Sequence, residues 1–332
     1  MDKQFLVTEA KKLTANAKGV LAIDESIGTC HGRFEKLGVP LTEEKRREYR
    51  ELLVTAPGIE QYISGYILVP ETALQKTNDG TLFTDVLTQK GISIGINAYT
   101  GYSVFDEING VKQEVTEGLA DLPTRMAEYK KQGAVFSKWR EQIRISAGTP
   151  TEEFMLEGAK RLAEYATICQ SNNVVPIVEP EILIDGDHAI EKCYEITSHN
   201  MGIVFNELKS AGVYIPGIIL KPSMVISGNT CEKQSTTQEV AEWTLKCLKE
   251  NVPADIGGVV FLSGGQSATQ ATDNLRAMHQ MGELPWPLSF SYGRAIQKPA
   301  LETWAKDQNN VAGAQEALLE MAKNNSDAVM GK

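Results

Sequence analysis

Two lysines stand where the chain should be apolar. Lys138 follows the run Ala134-Val-Phe-Ser137, and Lys221 follows Gly217-Ile-Ile-Leu220. Lysine is rarely buried without a partner, so each needs a reason. Carboxylates close neighbouring apolar runs: Asp24 after Val20-Leu-Ala-Ile23, and Glu179 and Glu181 within Val178-Glu-Pro-Glu181. An amine in an apolar pocket beside a second cation has its charge disfavoured and becomes a nucleophile near neutral pH, suited to carbonyl attack. The Schiff base that results is an electron sink. It stabilises the carbanion left when an adjacent C–C bond breaks. Such chemistry needs an acid/base for imine formation and a second group for the substrate hydroxyl proton, and the carboxylates offer both.

Two further segments point to an anion. Ser263-Gly264-Gly265 offers backbone N–H groups without side-chain obstruction, and Ser291-Tyr-Gly293-Arg294 adds a full positive charge. The competing reading of all these charges is a set of ion pairs that merely plugs a core. Two lysines, three carboxylates and two glycine-flanked anion sites, all closing apolar runs, favour chemistry over plugging.

Positioning such groups on one rim requires a closed parallel sheet. Eight short apolar segments alternate with longer helical patterns: Val20–Ser26, Tyr62–Val69, Ile92–Tyr99, Ala134–Arg140, Val174–Leu183, Ile215–Met224, Gly257–Gly265 and Pro287–Ala295. Several are almost continuously hydrophobic, as strands buried on both faces are. Between them, Thr42 with Glu43 and Glu44 reads as a helix start. Thr149-Pro150-Thr151-Glu152 reads as an N-cap, a first-position proline and a capping-box glutamate. In Asp185-Gly-Asp187-His188, Asp187 reads as a helix cap. No glycine-rich dinucleotide fingerprint follows the first strand. The expectation is an α/β fold, a (β/α)8 TIM barrel forming one domain over residues 1–332, with its chemistry at the C-terminal strand ends.

Composition narrows the function classes. A net charge of −10 over 332 residues argues against nucleic acid or an anionic membrane as partner. The four histidines, His31, His188, His199 and His279, lack metal-ligand spacing and read as surface or loop residues. Neither a metal nor a cofactor is expected. Five scattered cysteines without a Cys-x-x-Cys pair read as free thiols in a reducing compartment. The N-terminus has no secretory h-region and the apolar runs are strand-sized, so the expected location is the cytoplasm.

Longer motifs carry a resemblance. Leu21-Ala-Ile-Asp-Glu-Ser26, Phe136-Ser-Lys-Trp-Arg140, Val175-Pro-Ile-Val-Glu-Pro-Glu-Ile182, Leu220-Lys-Pro-Ser-Met224, Phe261-Leu-Ser-Gly-Gly-Gln-Ser267 and Phe290-Ser-Tyr-Gly-Arg294 resemble, in order and over nearly the whole chain, the class I fructose-1,6-bisphosphate aldolase family. The resemblance implies that Lys221 forms the Schiff base with a phosphorylated sugar. It makes Glu179 the main acid/base, Asp24 the handler of the substrate hydroxyl, Lys138 an aid to carbinolamine chemistry, and Glu181 a tuner of the lysines. Ser263, Gly264, Gly265, Ser291, Gly293 and Arg294 would bind the C1 phosphate. Ser26 and Thr29 stand where the family has a serine pair near the C6 phosphate, and Arg33 or Arg140 is the candidate to supply charge at that end. A homo-oligomer, a tetramer, is implied too.

Departures from the family pattern cluster at the C6 end. Asn97 stands where the family has a phosphate-binding lysine, Tyr99 where it has an aspartate, and Gly32 where a lysine precedes Arg33. Losing one charge-assisted phosphate contact costs about 1.5–3 kcal/mol. An alternative expectation therefore keeps the covalent machinery but changes the aldehyde half, toward fructose 1-phosphate or a non-phosphorylated acceptor. A transaldolase-type transferase and a non-catalytic binding protein are the remaining alternatives. The tyrosine-ended tail of many animal members is also missing after Lys332.

Overall fold

A computed structural model describes residues 1–332. Its strands are β1 (Gly19–Ala22), β2 (Ile63–Leu68), β3 (Ser93–Asn97), β4 (Gly101–Ile108), β5 (Val111–Glu117), β6 (Ala134–Ile143), β7 (Val175–Ile182), β8 (Ile219–Leu220), β9 (Gly258–Phe261) and β10 (Leu288–Tyr292). Eight close into a barrel in the order β1-β10-β9-β8-β7-β6-β3-β2, every pair parallel. Each lies within one of the eight segments read from the sequence, except that β1 starts one residue earlier, at Gly19, and β6 runs three residues further, to Ile143. The fold is the (β/α)8 barrel.

The two strands outside the barrel were not anticipated. β4 and β5 form an antiparallel hairpin between β3 and β6. Its turn is Asn109-Gly110, both at positive φ (52° and 78°), a strong short-range hairpin signal.

Side chains alternate across each strand, and this alternation sorts the barrel interior. Val20 and Ala22, Ile67, Phe136, Val175 and Ile177, Ile219 and Val260 form one buried cluster with Leu6, Ala10 and Leu13 of the N-terminal helix Lys3–Thr14. That helix therefore stoppers the N-terminal mouth. Asp2 starts it by accepting a hydrogen bond from Phe5 N at 3.0 Å. Burying Leu6 and Leu13 contributes on the order of 2 kcal/mol each. A β-carbon at Gly95 would stand 2.1 Å from the Phe136 ring, so the glycine makes room for it.

Continuing two residues along each strand from that apolar floor gives the upper layer. Ala22 leads to Asp24, Phe136 to Lys138 and Arg140, Ile177 to Glu179 and Glu181, and Ile219 to Lys221. The barrel is thus filled by hydrocarbon below and ionisable groups above. The outer faces of the strands pack under the helices in a second, larger cluster that includes Leu21, Trp139, Val178 and Leu220.

Two helix starts differ from the expectation. Thr151, not Thr149, caps the helix Glu152–Ser171, accepting from Phe154 N at 3.3 Å and leaving Pro150 outside. Asp187 caps nothing: the next helix begins at Ile190 after Ala189, without a side-chain cap. His188 is a loop residue, as expected, but buried.

Candidate active site

The strand ends are tied before the side chains are placed. The backbone N–H of Ile23 donates to Ile67 O at 3.0 Å, Ala98 N to Lys138 O at 3.0 Å, and Lys221 N to Val178 O at 2.8 Å. Lys221 thus continues the β8 ladder although the strand proper stops at Leu220.

Glu179 lies between the two lysines. Its Oε1 is 3.1 Å from Lys221 Nζ, and its Oε2 is 3.3 Å from Lys138 Nζ. The second contact is an ion pair without hydrogen-bond geometry, so Oε2 keeps a free lone pair. Lys138 Nζ also stands 2.7 Å from Asp24 Oδ2. Both lysines and Glu179 are under 5% exposed as whole residues. Burial opposes the charge on Lys138, but Asp24 and Glu179 outweigh it and hold this amine protonated, well above the usual lysine range. For Lys138, then, a second nearby cation does not decide the charge; the carboxylates do. Asp24 is the reciprocal case. Burial pushes its carboxyl up, yet Lys138 and then Lys221 pull it below the ordinary aspartate value.

Arg140 reaches Glu181 Oε2 at 3.0 Å and donates to the Tyr102 hydroxyl at 3.0 and 3.3 Å through Nη2 and Nε. Glu181 nonetheless sits above the ordinary glutamate value, because burial outweighs Arg140 and Glu179 adds repulsion. Asn97 and Tyr99 both line the cavity. The Asn97 amide Nδ2 donates to Asp24 Oδ2 at 3.0 Å, and the Tyr99 ring lies 5.0 Å from Lys138 Nζ.

On the opposite side, Gly264 and Gly265 adopt positive φ (47° and 86°). A β-carbon at Gly265 would stand 2.5 Å from Ile184 and 3.9 Å from Arg294 Nη2. The turn therefore requires glycine and brings bare backbone beside the guanidinium. Arg294 is exposed and makes no ion pair, unlike Arg33, whose Nη1 is 2.6 Å from Glu25. Ser291 Oγ is buried with no hydrogen-bond partner. A free cation, bare N–H groups and a spare hydroxyl together make a site able to take a phosphate.

Every site residue named from the sequence lines one cavity of about 1250 Å³: Asp24, Lys138, Glu179, Glu181 and Lys221, with Ser26, Thr29, Arg33 and Arg140, and with Ser263, Gly264, Gly265, Ser291, Gly293 and Arg294. Ser26 caps the helix Ile27–Glu35 and accepts from Thr29 N at 3.2 Å. Two participants have no role in the sequence reading. Tyr102 arrives on the overlooked hairpin. Glu25 is gripped by Arg33, by Arg50 at 2.8 Å and by Gln297 at 2.6 Å, which fixes the backbone beside Asp24. No three His, Cys, Asp or Glu side chains gather in a metal-holding arrangement.

The family model described as class I fructose-bisphosphate aldolase, of the glycolytic type, matches residues 5–332. The chain belongs to that family. It is similar to a probable class 1 fructose-bisphosphate aldolase of Xanthomonas campestris, at 48% identity over 100% of this chain and 99% of that one. It is 45% identical to the fructose-bisphosphate aldolase of Drosophila melanogaster, over 97% of this chain and 89% of the relative. A solved aldolase from Plasmodium falciparum superposes with a TM-score of 0.95 at 43% identity, covering 99% of this chain and 95% of that one. Membership in this aldolase family makes the chain a lyase. It favours the bisphosphate expectation over a re-specified aldehyde half, and sets aside the transferase and the binding protein.

Proposed function

We propose that this chain catalyses reversible cleavage of fructose 1,6-bisphosphate to dihydroxyacetone phosphate and glyceraldehyde 3-phosphate through a Schiff base on Lys221, residues 1–332 forming one catalytic barrel domain. The observation that carries the reading is the Glu179 carboxylate set between Lys221 and Lys138, at 3.1 and 3.3 Å.

Attack requires a free amine, and Glu179 Oε1 is placed to take the Lys221 proton. The amine adds to the C2 carbonyl, and the oxygen that forms receives one of the two protons the attacking nitrogen still carries. Glu179, now an acid, protonates that oxygen again so that it leaves as water, giving the protonated imine. Lys138, held charged, stabilises the oxygen while it is negative. Asp24 then takes the proton of the C4 hydroxyl. The pair freed from the O–H bond forms the second C4–O bond of the aldehyde, the C3–C4 pair flows into the imine, and the aldehyde departs. Protonation of the enamine at C3 and hydrolysis of the imine release the second product. Glu181, through Arg140 and its closeness to Glu179, sets the field around these groups.

Ser263, Gly264, Gly265, Ser291, Gly293 and Arg294 hold the C1 phosphate in this reading. Ser26 and Thr29 at the start of a helix, with Arg33 and Arg140, receive the C6 end. Asn97 supplies no charge there. We also propose a homo-tetramer in the cytoplasm. The family resemblance supports the first, and five unpaired cysteines, four of them buried, are compatible with the second.

The test is kcat/KM for fructose 1,6-bisphosphate against fructose 1-phosphate on one preparation. The reading expects a hundredfold or greater preference for the bisphosphate. A ratio near one would show that no distal phosphate is recognised and would overturn the substrate assignment.

A further inference from the structure

The residue at the C6-end departure is spent elsewhere. Asn97 ends β3 in register with Lys138 of the adjacent strand β6. The residue as a whole is 5% exposed, and both ends of its amide are engaged. Nδ2 donates to Asp24 Oδ2 at 3.0 Å, and Oδ1 accepts from Tyr99 N at 3.2 Å. Lys138 Nζ approaches the same carboxylate oxygen at 2.7 Å. Oδ2 thus carries two partners from neighbouring strands, while neither contact falls on Oδ1. A lysine at this position would bring a full charge, which the amide lacks. The amide commits one of its N–H groups to Asp24 and, unlike a lysine, brings no charge to a substrate phosphate.

We infer that Asn97 is a positioning residue for the reaction: it fixes the Asp24 carboxylate by its Oδ2, so that Oδ1 faces the cavity as the acceptor for the substrate C4 hydroxyl proton. This rests on the proton-acceptor role given to Asp24 above. Without the amide, Lys138 alone would hold Oδ2, and a single contact leaves the carboxylate free to rotate about it. Oδ1 would then be misplaced during C–C cleavage, whereas attack by Lys221 would be untouched. The effect belongs to one half of the reaction only, which a general loosening of the barrel would not produce.

The variants are Asn97→Ala and Asn97→Ser, beside Asp24→Asn. Three quantities are read on each: kcat and KM for fructose 1,6-bisphosphate, the rate of borohydride capture of dihydroxyacetone phosphate, and the pH dependence of kcat. The Asn97 variants should lose about ten- to a hundredfold in kcat, the range of one hydrogen bond to a charged group. KM and the capture rate should stay within about threefold. Losing a donor to the carboxylate disfavours its charged form, so the acidic limb of kcat should move to higher pH. The remaining charges facing Asp24, those of Lys138, Lys221 and Arg140, are the same in wild type and variant. Serine, which can still donate, should recover part of the loss.

A raised KM with unchanged kcat would overturn the inference, since Asn97 would then bind substrate. Equal losses in cleavage and capture would also overturn it, in favour of a structural role. If Asp24→Asn itself cleaves at the wild-type rate, the assigned role of Asp24 fails, and the inference with it. If Asp24→Asn is dead while both Asn97 variants are fully active, only the inference fails.

Discussion

Replacing Glu179 by glutamine tests the centre of the site with almost no change in shape. The wild-type carboxylate touches Lys221 at 3.1 Å and Lys138 at 3.3 Å, and is itself buried. Glutamine keeps the volume but can neither accept the Lys221 proton nor return it to the carbinolamine oxygen. Positioned acid–base groups contribute about 10²- to 10⁴-fold, which is roughly 3–5 kcal/mol of barrel-held transition-state stabilisation. The expected kcat for Glu179→Gln is lower by that factor, with KM within about fivefold. Because imine formation itself needs the group, borohydride capture of dihydroxyacetone phosphate should slow in parallel with cleavage. Stability should fall as well. Removing one member of a buried ion pair costs about 3–5 kcal/mol, and Lys221 has no other ion-pair partner. Melting temperature would be followed on the same preparations, so that activity is compared below the transition. Capture at the wild-type rate, in a folded variant with impaired cleavage, would refute the reasoning and move the imine acid/base elsewhere.

Two other outcomes follow from the geometry. Glu141, behind the site, accepts from Trp139 Nε1 at 2.8 Å and from Thr116 N at 3.2 Å, yet burial pushes its carboxyl up from 4.5 to about 7. Its folded value exceeds its unfolded one, so the stability it contributes is full below pH 4.5 and is lost as the pH rises through 7; the loss is about 3 kcal/mol, and chemical denaturation at pH 5 and pH 8 should show it in the wild type and show a flatter slope in Glu141→Gln. Gly265→Ala puts a side chain at φ 86° and 2.5 Å from Ile184, so the turn must shift and KM for both dihydroxyacetone phosphate and the bisphosphate should rise at least tenfold; an unchanged KM would remove this turn from the phosphate site.

The site was legible because chemistry contradicts hydrophobic patterning. Lys138, Glu179, Glu181 and Lys221 interrupt or end runs that must be buried, and a barrel brings all its C-terminal strand ends to one rim. Knowing the strands was therefore nearly equivalent to knowing the site. The hairpin β4–β5 was passed over although Asn109-Gly110 announced its turn, because its strands are short of apolar residues: Val104 and Phe105 are exposed, and few of its side chains reach the core. Tyr102 was missed with it. The protonation of Lys138 was not readable at all. It depends on Asp24 and Glu179 lying 2.7 and 3.3 Å away, and only the closed barrel sets those distances. The same holds for Asn97. Its residue type marks a lost charge, whereas its partner, Asp24, is 73 residues distant in the chain. Thr149 and Asp187 are caps by residue type alone: the Thr149 hydroxyl is turned back to Arg144 O at 3.1 Å, and Asp187 lies two residues ahead of Ala189, which precedes the helix.

The most direct test of the central claim is to incubate the protein with dihydroxyacetone phosphate, reduce with borohydride, and map the modified peptide by mass spectrometry. The account predicts irreversible inactivation with one adduct per chain, on Lys221, and none in Lys221→Met. Modification at Lys138 instead, or full activity after reduction with no adduct on any lysine, would contradict it.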